Sequence, residues 1–216
     1  MKFAREGYLP AAVPAVTGLV LAPFFGWWFG AAMLVLAILV LLFFRDPVRV
    51  APADPAAIVA PADGRILSVG LKPQGHRLAP RPMHRITIFM SPLNVHINRM
   101  PAAGAIRDIR YSPGQFRAAY ADDASEVNES NALLVETGIA GPMVVIQIAG
   151  WLARRIVCHA HIGDRLERAA RFGLIMFGSR VDLYVPAEIS VCVRSGDRVS
   201  AGSTVVARAG GSNVVQ

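Results

Sequence analysis

The stretch "RFGLIMFGSRVDLYVP", residues 171–186, indicates how this chain folds. It reads as two apolar strands on either side of a Phe-Gly-Ser-Arg segment at 177–180. Apolar residues recur at every second position from Val181 to Val185, which is typical of a strand with one face in a core. The Gly-Ser pair between the strands suits an ordinary turn, and it also suits a place where a serine does chemistry.

The chain beyond residue 45 is rich in short strand-like runs, which Gly, Pro, Asp and Asn separate. They include "RILSVG", "HRITIFM", "GAIRDIRYS", "NALLVETG", "PMVVIQIAG", "RRIVCHA", "ISVCV" and "STVVARA". A single helix is expected among them, over residues 164–171, "DRLERAAR". This pattern predicts a mostly β domain of short strands over residues 46–216.

Two stretches, "VAPADGRILSVG" and "VRSGDRVSAGSTVVA", resemble the turns of barrel-sandwich folds of the biotinyl and lipoyl type. Gly196 and Gly202 are expected at tight turns, because glycine adopts positive φ without a steric penalty. We therefore expect a barrel-sandwich-like domain. A cofactor-carrier role is disfavoured, because no lysine stands at the hairpin tip.

Residues 7–44 carry no charged side chain. One straight helix of this length would rise about 57 Å, roughly twice the thickness of a bilayer's hydrocarbon core. A break is expected between Pro23 and Gly26. Residues 1–45 are therefore predicted to form a membrane-anchoring helical hairpin, either transmembrane or re-entrant.

Positive residues flank this segment on both sides, with Lys2 and Arg5 before it and Arg45 and Arg49 after it. This placement predicts that both ends lie in the cytoplasm, with the β domain on the cytoplasmic side of the cell membrane. A signal peptide is disfavoured, because the apolar stretch is too long and no small-residue cleavage site ends it. A buried helical hairpin in a soluble protein is the remaining alternative.

The chain has a formal net charge of +7, and residues 45–216 hold 20 Lys and Arg against 14 Asp and Glu. A basic domain is attracted to an anionic lipid leaflet. Nucleic-acid binding is disfavoured, because there is no run of basic residues and no binding motif. Cys158 and Cys192 are too few for a disulfide framework.

Polar residues cluster in "SPLNVHINRMP", residues 91–101, where Asn94, His96, Asn98 and Arg99 stand between two prolines. So many polar groups on one loop are typical of a functional site.

Asp63, in "PADG" at 61–64, has a similar position after an extended segment. Asp63, His96 and Ser179 could together form a Ser-His-Asp set. There is no G-x-S-x-G elbow, which excludes an α/β-hydrolase.

The "HAH" motif is expected to place His159 and His161 on one face of a strand. Two ligands at this spacing can begin a metal site, but no third ligand is evident nearby, so no metal is predicted. The residues alone therefore predict a membrane-tethered β domain, in which residue 179 is either part of an ordinary turn or an activated serine.

"PADGRI", "SPLNVHINRMP" and "RFGLIMFGSRVDLYVP", in that order after an apolar hairpin, resemble the short (type A) branch of the pyruvoyl-dependent phosphatidylserine decarboxylases. The resemblance implies a proenzyme that cleaves itself between Gly178 and Ser179 into chains 1–178 and 179–216. These two chains then stay associated. Ser179 is expected to become a covalent pyruvoyl cofactor, so that no metal is needed.

The resemblance also implies that the pyruvoyl group forms a Schiff base with phosphatidylserine in the membrane, which is then decarboxylated to phosphatidylethanolamine. His96 is expected to bind the substrate carboxylate or to supply the proton, and Asp63 to help activate Ser179. The longer branch of the family has a second histidine where this chain has Arg99, which leaves the base for self-cleavage open. Arg99 and Asn98 are expected to bind substrate, with Arg99 holding its phosphate or carboxylate.

Two other functions remain open on the sequence, namely a non-catalytic membrane-tethered adaptor and a membrane serine hydrolase that uses Ser179. Diacyl and ether-linked lipid substrates share one head group and are not distinguished by the sequence. A homodimer through sheet edges is compatible with the strand pattern.

Overall fold

The computed structural model describes residues 2–117, 127–150, 155–176 and 178–210. It divides into two compact units, Met1–Val48 and Arg49–Gln216. Phe177, in the expected turn, lies outside the described residues.

The N-terminal unit is a hairpin of two helices, α1 (Tyr8–Phe25) and α2 (Trp27–Phe43). Gly26 separates them with a φ of 91°, so the predicted break is confirmed. Strands β1 (Lys2–Phe3) and β2 (Arg45–Asp46) pair antiparallel and bring the two ends of the hairpin together.

The two helices pack closely and expose apolar side chains outward. A Cβ built on Gly18 would lie 2.6 Å from Met33 Cβ, so glycine permits this approach. Leu19, Phe24 and Trp27 are 78%, 80% and 84% exposed. The segment Arg5–Phe25 is long and apolar enough to cross a membrane. Large apolar surfaces of this kind favour membrane association.

Val35→Arg tests whether lipid covers the hairpin, because Val35 lies mid-way along α2 and is 56% exposed. An arginine at the centre of a membrane helix costs about 2.5–3.5 kcal/mol on insertion scales. We expect a smaller share of the chain in the membrane pellet after carbonate extraction. Val48→Arg, outside the helices and 82% exposed, is the control and should not change this share. Equal extraction of the two variants would contradict membrane burial.

The second unit is mostly β, as predicted. Its longer strands are β4 (Gly64–Lys72), β5 (Met83–Met90), β7 (Gly104–Ser112), β8 (Ser130–Thr137), β9 (Gly141–Ile148), β12 (Arg171–Ile175), β13 (Ser179–Pro186) and β16 (Val205–Arg208). The shorter ones are β3 (Ala57–Val59), β6 (Ile97–Arg99), β10 (Ile156–Cys158), β11 (Arg165–Leu166), β14 (Ser190–Val191) and β15 (Arg198–Val199).

The main sheet has eight strands in the order β11-β7-β8-β9-β13-β5-β4-β15 and curls into a half-barrel. Two three-stranded sheets, β10-β12-β6 and β14-β16-β3, complete the unit. Strand β13 lies between β9 and β5 and pairs antiparallel with both. The quoted stretch therefore supplies a central strand, β13, and the middle strand of a smaller sheet, β12.

Every residue of β13 is buried, and its two faces differ. Val181, Leu183 and Val185 belong to the larger apolar core, as their alternation predicts. Tyr184, on the other face, belongs to a second apolar cluster with Met83 and neighbouring residues. Gly196 and Gly202 have φ of 98° and 75°, which confirms the expected turns.

The helix predicted over residues 164–171 is wrong. Arg165 and Leu166 form β11, which pairs with Ala105 and Gly104, and Ala169 has a φ of 65°. Backbone pairing with neighbouring segments, including a bond from Ala169 N to Met100 O, overrides the local helix propensity of "DRLERAAR".

Candidate active site

The Gly178-Ser179 pair lies between β12 and β13, and residues 90–96 contact both of these strands. Before the pair, Ile175 N donates a hydrogen bond to His96 O at 3.2 Å. After it, Ser179 is the register partner of Met90, the last residue of β5. Residues 90–96 therefore contact the chain on both sides of the Gly178-Ser179 pair, Ser179 through Met90 and Ile175 through the His96 backbone.

Gly178 has a φ of 61°, in the left-handed region. A Cβ built on it would meet no atom within 4 Å, so space alone would admit a larger residue. The backbone conformation is what favours glycine, because the left-handed region costs other residues about 1–2 kcal/mol.

Ser179 is fully buried at the start of β13. Its hydroxyl donates a hydrogen bond to Met90 Sδ at 3.5 Å. A thioether sulfur is a weak acceptor, so the serine proton is held loosely compared with a bond to oxygen. The hydroxyl is thus oriented and shielded from water.

His96 is buried, and its Nδ1 lies 2.9 Å from Asn94 O. A carbonyl oxygen can only accept, so Nδ1 carries the proton in this hydrogen bond. In the neutral ring the lone pair is then on Nε2. This tautomer can take a proton at Nε2 and return it.

A chain of buried amides leads to the same place. Asn131 Nδ2 donates to Gln147 Oε1 at 3.1 Å, and Gln147 Nε2 donates to Asn98 Oδ1 at 2.9 Å. Asn98 Nδ2 in turn approaches Met90 Sδ at 3.9 Å, the sulfur that Ser179 contacts. In each step the amide nitrogen of one residue donates to the next residue in the series. Because Asn98 Oδ1 accepts from Gln147, the Asn98 Nδ2 group is the one that donates beside residue 179.

Asp63 is held by two donors. Arg49 Nη2 lies 2.6 Å from its Oδ2, and Ala201 N donates to its Oδ1 at 2.7 Å. These bonds stabilise the carboxylate form and tie three distant segments together.

Arg99 lies on the opposite side of β6 from Asn98. Its Nη1 donates to Ala169 O at 3.0 Å, and its Cδ would be 3.0 Å from a Cβ built on Gly202. The Arg99 backbone N donates to Pro61 O at 2.9 Å, which joins the "SPLNVHINRMP" segment to the "PADG" segment.

Residues just beyond Ser179 form a buried ion pair on the outer face of β13. Arg180 Nε and Nη2 donate to the two carboxylate oxygens of Asp182 at 2.7 and 3.1 Å. Arg180 Nη2 also lies 3.4 Å from Thr87 Oγ1. Such a bidentate pair satisfies charges that would be costly to bury singly.

The remaining motif residues lie outside this cluster. Strand β10 ends at Cys158, so the expectation that His159 and His161 share one face of a strand is wrong. His161 is exposed, and its Nδ1 lies 3.5 Å from Asp164 Oδ2. Within the described residues no three His, Cys, Asp or Glu side chains are grouped as metal ligands. Burial raises the pKa of the Cys158 thiol, which disfavours a thiolate nucleophile.

Comparison with known proteins gives the family. The family model for phosphatidylserine decarboxylase matches residues 36–207. The chain belongs to the phosphatidylserine decarboxylase family. Relatives named phosphatidylserine decarboxylase proenzyme are found in Nitrosomonas eutropha, at 48% identity over 94% of both chains, and in Geotalea uraniireducens, at 43% over 94% of both. A third, in Azorhizobium caulinodans, is 47% identical over 94% of this chain and 87% of its own.

In this member of the phosphatidylserine decarboxylase family, Ser179 and Asn98 both contact Met90 Sδ, and the His96 backbone bonds to Ile175, three residues before Gly178. Asp63 contacts Ala201 and Arg99 approaches Gly202, so these two motif residues lie along a neighbouring turn. The resemblance to the family and the order of the motifs had indicated all six residues.

The amide chain and the ion pair were not predicted. Gln147 stands in the apolar run "PMVVIQIAG" and Asp182 in "RVDLYVP". A single polar residue in an otherwise apolar strand was the available signal, because burial there requires a hydrogen-bonding partner.

Gln147→Leu is expected to destabilise the unit by about 2 kcal/mol or more, because it leaves Asn98 and Asn131 with unsatisfied buried groups. The free energy of unfolding is measured by chemical denaturation with and without this change. Both chains also carry Ser179→Ala, so that the expected self-cleavage does not affect the comparison. Gln115→Leu, the same change at an exposed position, is the control. A Gln147→Leu chain as stable as its parent would show that the amide chain does not stabilise the fold.

Proposed function

We propose that this chain is made as a single precursor, cleaves itself between Gly178 and Ser179, and decarboxylates phosphatidylserine to phosphatidylethanolamine. The observation that carries the proposal is a buried, oriented serine after a left-handed glycine, at a turn held by the His96 segment. Membership of the phosphatidylserine decarboxylase family supplies the reaction.

Self-cleavage begins with attack of Ser179 Oγ on the Gly178 carbonyl carbon. The amide C–N bond breaks, an ester forms, and the hydroxyl proton moves to the released nitrogen. Loss of the proton on Ser179 Cα then breaks the Cβ–Oγ bond of the same residue. This leaves Gly178 as a free carboxylate and residue 179 as dehydroalanine. Its imine tautomer takes up water and releases ammonia, which leaves a pyruvoyl group at residue 179.

The surroundings of residue 179 fit both the serine of the precursor and the pyruvoyl group of the cleaved chain. In the precursor, Met90 Sδ accepts the hydroxyl hydrogen bond. After maturation the former Cβ is a methyl group, and a polarizable thioether packs well against a methyl. When present, the pyruvoyl group supplies an electron sink for the negative charge that loss of CO₂ leaves on the substrate's Cα.

His96 is the proposed residue for proton transfer at this site. With Nδ1 bound to Asn94 O, its Nε2 can bind the substrate carboxylate when protonated and return a proton after CO₂ leaves. Asn98 Nδ2, fixed by Gln147, is a second donor to the substrate.

Asp63 is proposed to act in self-cleavage through position and charge, because its carboxylate is anchored by Arg49 and Ala201. Substrate binding by Arg99 remains a prediction. Its bond to Ala169 O and its contact at Gly202 support a role in holding the "PADG" and Gly202 segments beside the site.

Cleavage would leave chain 1–178 and chain 179–216 joined by β pairing. Strand β13 pairs with β5 and β9, β15 pairs with β4, and β16 pairs with β3. In each of these pairs one strand comes from each chain, so no disulfide is needed.

The hairpin supports a location at the cell membrane with both ends cytoplasmic. Its ends meet through β1 and β2, and Lys2, Arg5, Arg45 and Arg49 flank it. Positive residues at both ends favour the cytoplasmic side. A diacyl lipid substrate stays in the leaflet, which gives the anchor a purpose.

Intact-mass measurement under denaturing conditions tests self-cleavage. We expect two chains, with the 179–216 chain carrying a blocked, ketone-reactive N-terminus. Ser179→Ala removes the attacking hydroxyl and should leave one uncut, inactive chain, whereas Ser203→Ala should cleave like the parent. A single intact parent chain in active membranes would refute the mechanism and favour an adaptor or, if a fluorophosphonate labels Ser179, a hydrolase.

His96→Gln tests the proton-transfer role. We expect kcat of the cleaved fraction to fall by about a hundredfold or more, because a positioned acid or base contributes about that factor. The cleaved fraction is measured by mass and the turnover by CO₂ release. His161→Gln changes an exposed histidine and should leave both quantities unchanged. Wild-type turnover by His96→Gln would remove His96 from the reaction.

A further inference from the structure

A braced turn with an apolar tip follows strand β5. Asn94 N donates to Ser91 O at 2.9 Å, so residues 91–94 form a β-turn with Pro92 and Leu93 at its tip. Ser91 N and Ser91 Oγ donate to Asn94 Oδ1 at 2.9 and 2.8 Å, which fixes the base of the turn. Leu93 is 84% exposed. The chain thus holds a leucine in solvent at a defined position, and this segment is called the Leu93 turn below.

A cavity of about 500 Å³ lies at the base of the Leu93 turn. Ser91 and Asn94 line it, together with Arg65 of β4 and Arg198 of β15. No Asp or Glu is among the described residues of its lining. The apolar tip and a pair of guanidinium groups therefore lie close together on the surface of the β unit.

The two arginines are exposed and lie on the sheet face that is turned away from the core. Arg65 and Arg198 are register partners in the same row as Phe89, on the face opposite the one that holds Ser179. The cavity is therefore separate from the proposed active site. Like charges directly opposite each other on neighbouring strands are destabilising, so anionic groups bound from outside would relieve this repulsion.

The neighbouring groups leave the charge of this pair uncompensated. Arg65 Nε donates to Gly196 O at 3.0 Å, and this acceptor is neutral. Asp197, beside Arg198 in the chain, pairs with Arg194, whose Nε lies 3.8 Å from Asp197 Oδ1. In the described part of the chain, neither Arg65 nor Arg198 forms an ion pair with a carboxylate. Two positive charges are thus available to an external partner.

One kind of partner satisfies both parts of this surface. A soluble phosphate would neutralise the arginines but would leave Leu93 in water. An anionic lipid leaflet presents phosphates at its surface and an apolar phase directly beneath them. Attachment to such an interface strengthens with the apolar area that is buried and with the electrostatic attraction. A turn that is already fixed also loses little conformational freedom when it binds.

We infer that the Leu93 turn docks onto an anionic lipid leaflet, with Leu93 among the acyl chains and Arg65 and Arg198 on lipid phosphates. This contact goes beyond the proposed function and adds a second membrane attachment to the helical hairpin. The same turn is linked to the site, because Asn94 O accepts the hydrogen bond from His96 Nδ1 at 2.9 Å. Docking would therefore hold the loop that orients His96 at the leaflet in which a lipid substrate is found.

The test places a fluorescent probe at the tip of the turn. Leu93→Cys is introduced into the full chain with Cys158→Ser and Cys192→Ser, labelled with the environment-sensitive dye NBD, and reconstituted into vesicles. We expect the NBD emission to shift to shorter wavelength as phosphatidylglycerol replaces phosphatidylcholine. The same label at Ile162→Cys, also an exposed apolar position, is the control and should not shift. No shift at residue 93, or an equal shift at residue 162, overturns the inference.

The contribution of the arginines is measured by the same shift. A basic residue at an anionic leaflet contributes about fivefold to binding, so Arg65→Gln/Arg198→Gln should lower the ratio of docked to undocked turn about thirtyfold. Arg65→Lys/Arg198→Lys keeps the charge and should stay within about threefold of the parent. Arg77→Gln/Arg110→Gln removes the same charge from exposed residues outside the cavity and should change the ratio by less than about twofold. An equal loss in the lysine variant or in this control would show that folding or overall charge determines the shift, and docking by this surface would be wrong.

A soluble phosphodiester distinguishes docking from simple phosphate binding. Glycerophosphoglycerol carries the same phosphodiester as phosphatidylglycerol but offers no apolar phase. Added to the chain in neutral vesicles, it should leave the NBD emission at residue 93 unchanged. A shift as large as that produced by phosphatidylglycerol would mean that the probe reports phosphate binding alone, which contradicts docking.

The inference and the proposed function fail separately. Every one of these measurements can be made on the Ser179→Ala chain, which is expected to stay uncut and inactive. Failure of self-cleavage or decarboxylation in the parent would therefore leave the docking result standing. Failure of docking would likewise leave the proposed reaction standing.

Discussion

The antiparallel pairing of β13 with β5 is the constraint on which the site depends. It places Ser179 opposite Met90, at the point where β5 turns into the loop that carries His96. Side chains alternate along a strand, so a slip of one residue would move Ser179 to the outer face and Arg180 into the apolar core. The position of the Ser179 hydroxyl is therefore a consequence of register along the whole of β13.

Apolar residues alone do not define that register, because a slip of two residues would keep Val, Leu and Val facing the core. The buried amide chain is sensitive to such a slip. Asn131, Gln147, Asn98, Met90 and Ser179 lie on five different strands, and their contacts form only when all five are aligned. A polar network that must be satisfied inside a core in this way favours one alignment over others. Its members hold both the fold and the orientation of residue 179.

Strands with a clear alternation were predictable from the sequence, and so were the helix break at Gly26 and the turns at Gly196 and Gly202, because local patterns determine them. The motif residues were identified through their order along the chain and their resemblance to a family. Residues 164–171 were not predictable, since strand pairing with Ala105 and Gly104 outweighs a local preference for helix. Gln147 was missed for a related reason: its partners are distant in sequence, and only the folded sheet brings them together.

The location of the Gly-Ser bond explains how a cut there could be tolerated. The bond precedes the first residue of β13, so a cut there leaves the pairing of Arg180 to Pro186 with β5 in place. The arm before the cut is held separately, by β12 pairing with β6 and by Ile175 N bonding to His96 O. A cut in the middle of β13 would instead divide the apolar strand that joins β5 to β9. A cut at the start of β13 would therefore keep that strand's pairing with β5 and β9 in one piece, while the arm before the cut keeps its own contacts with β6 and His96.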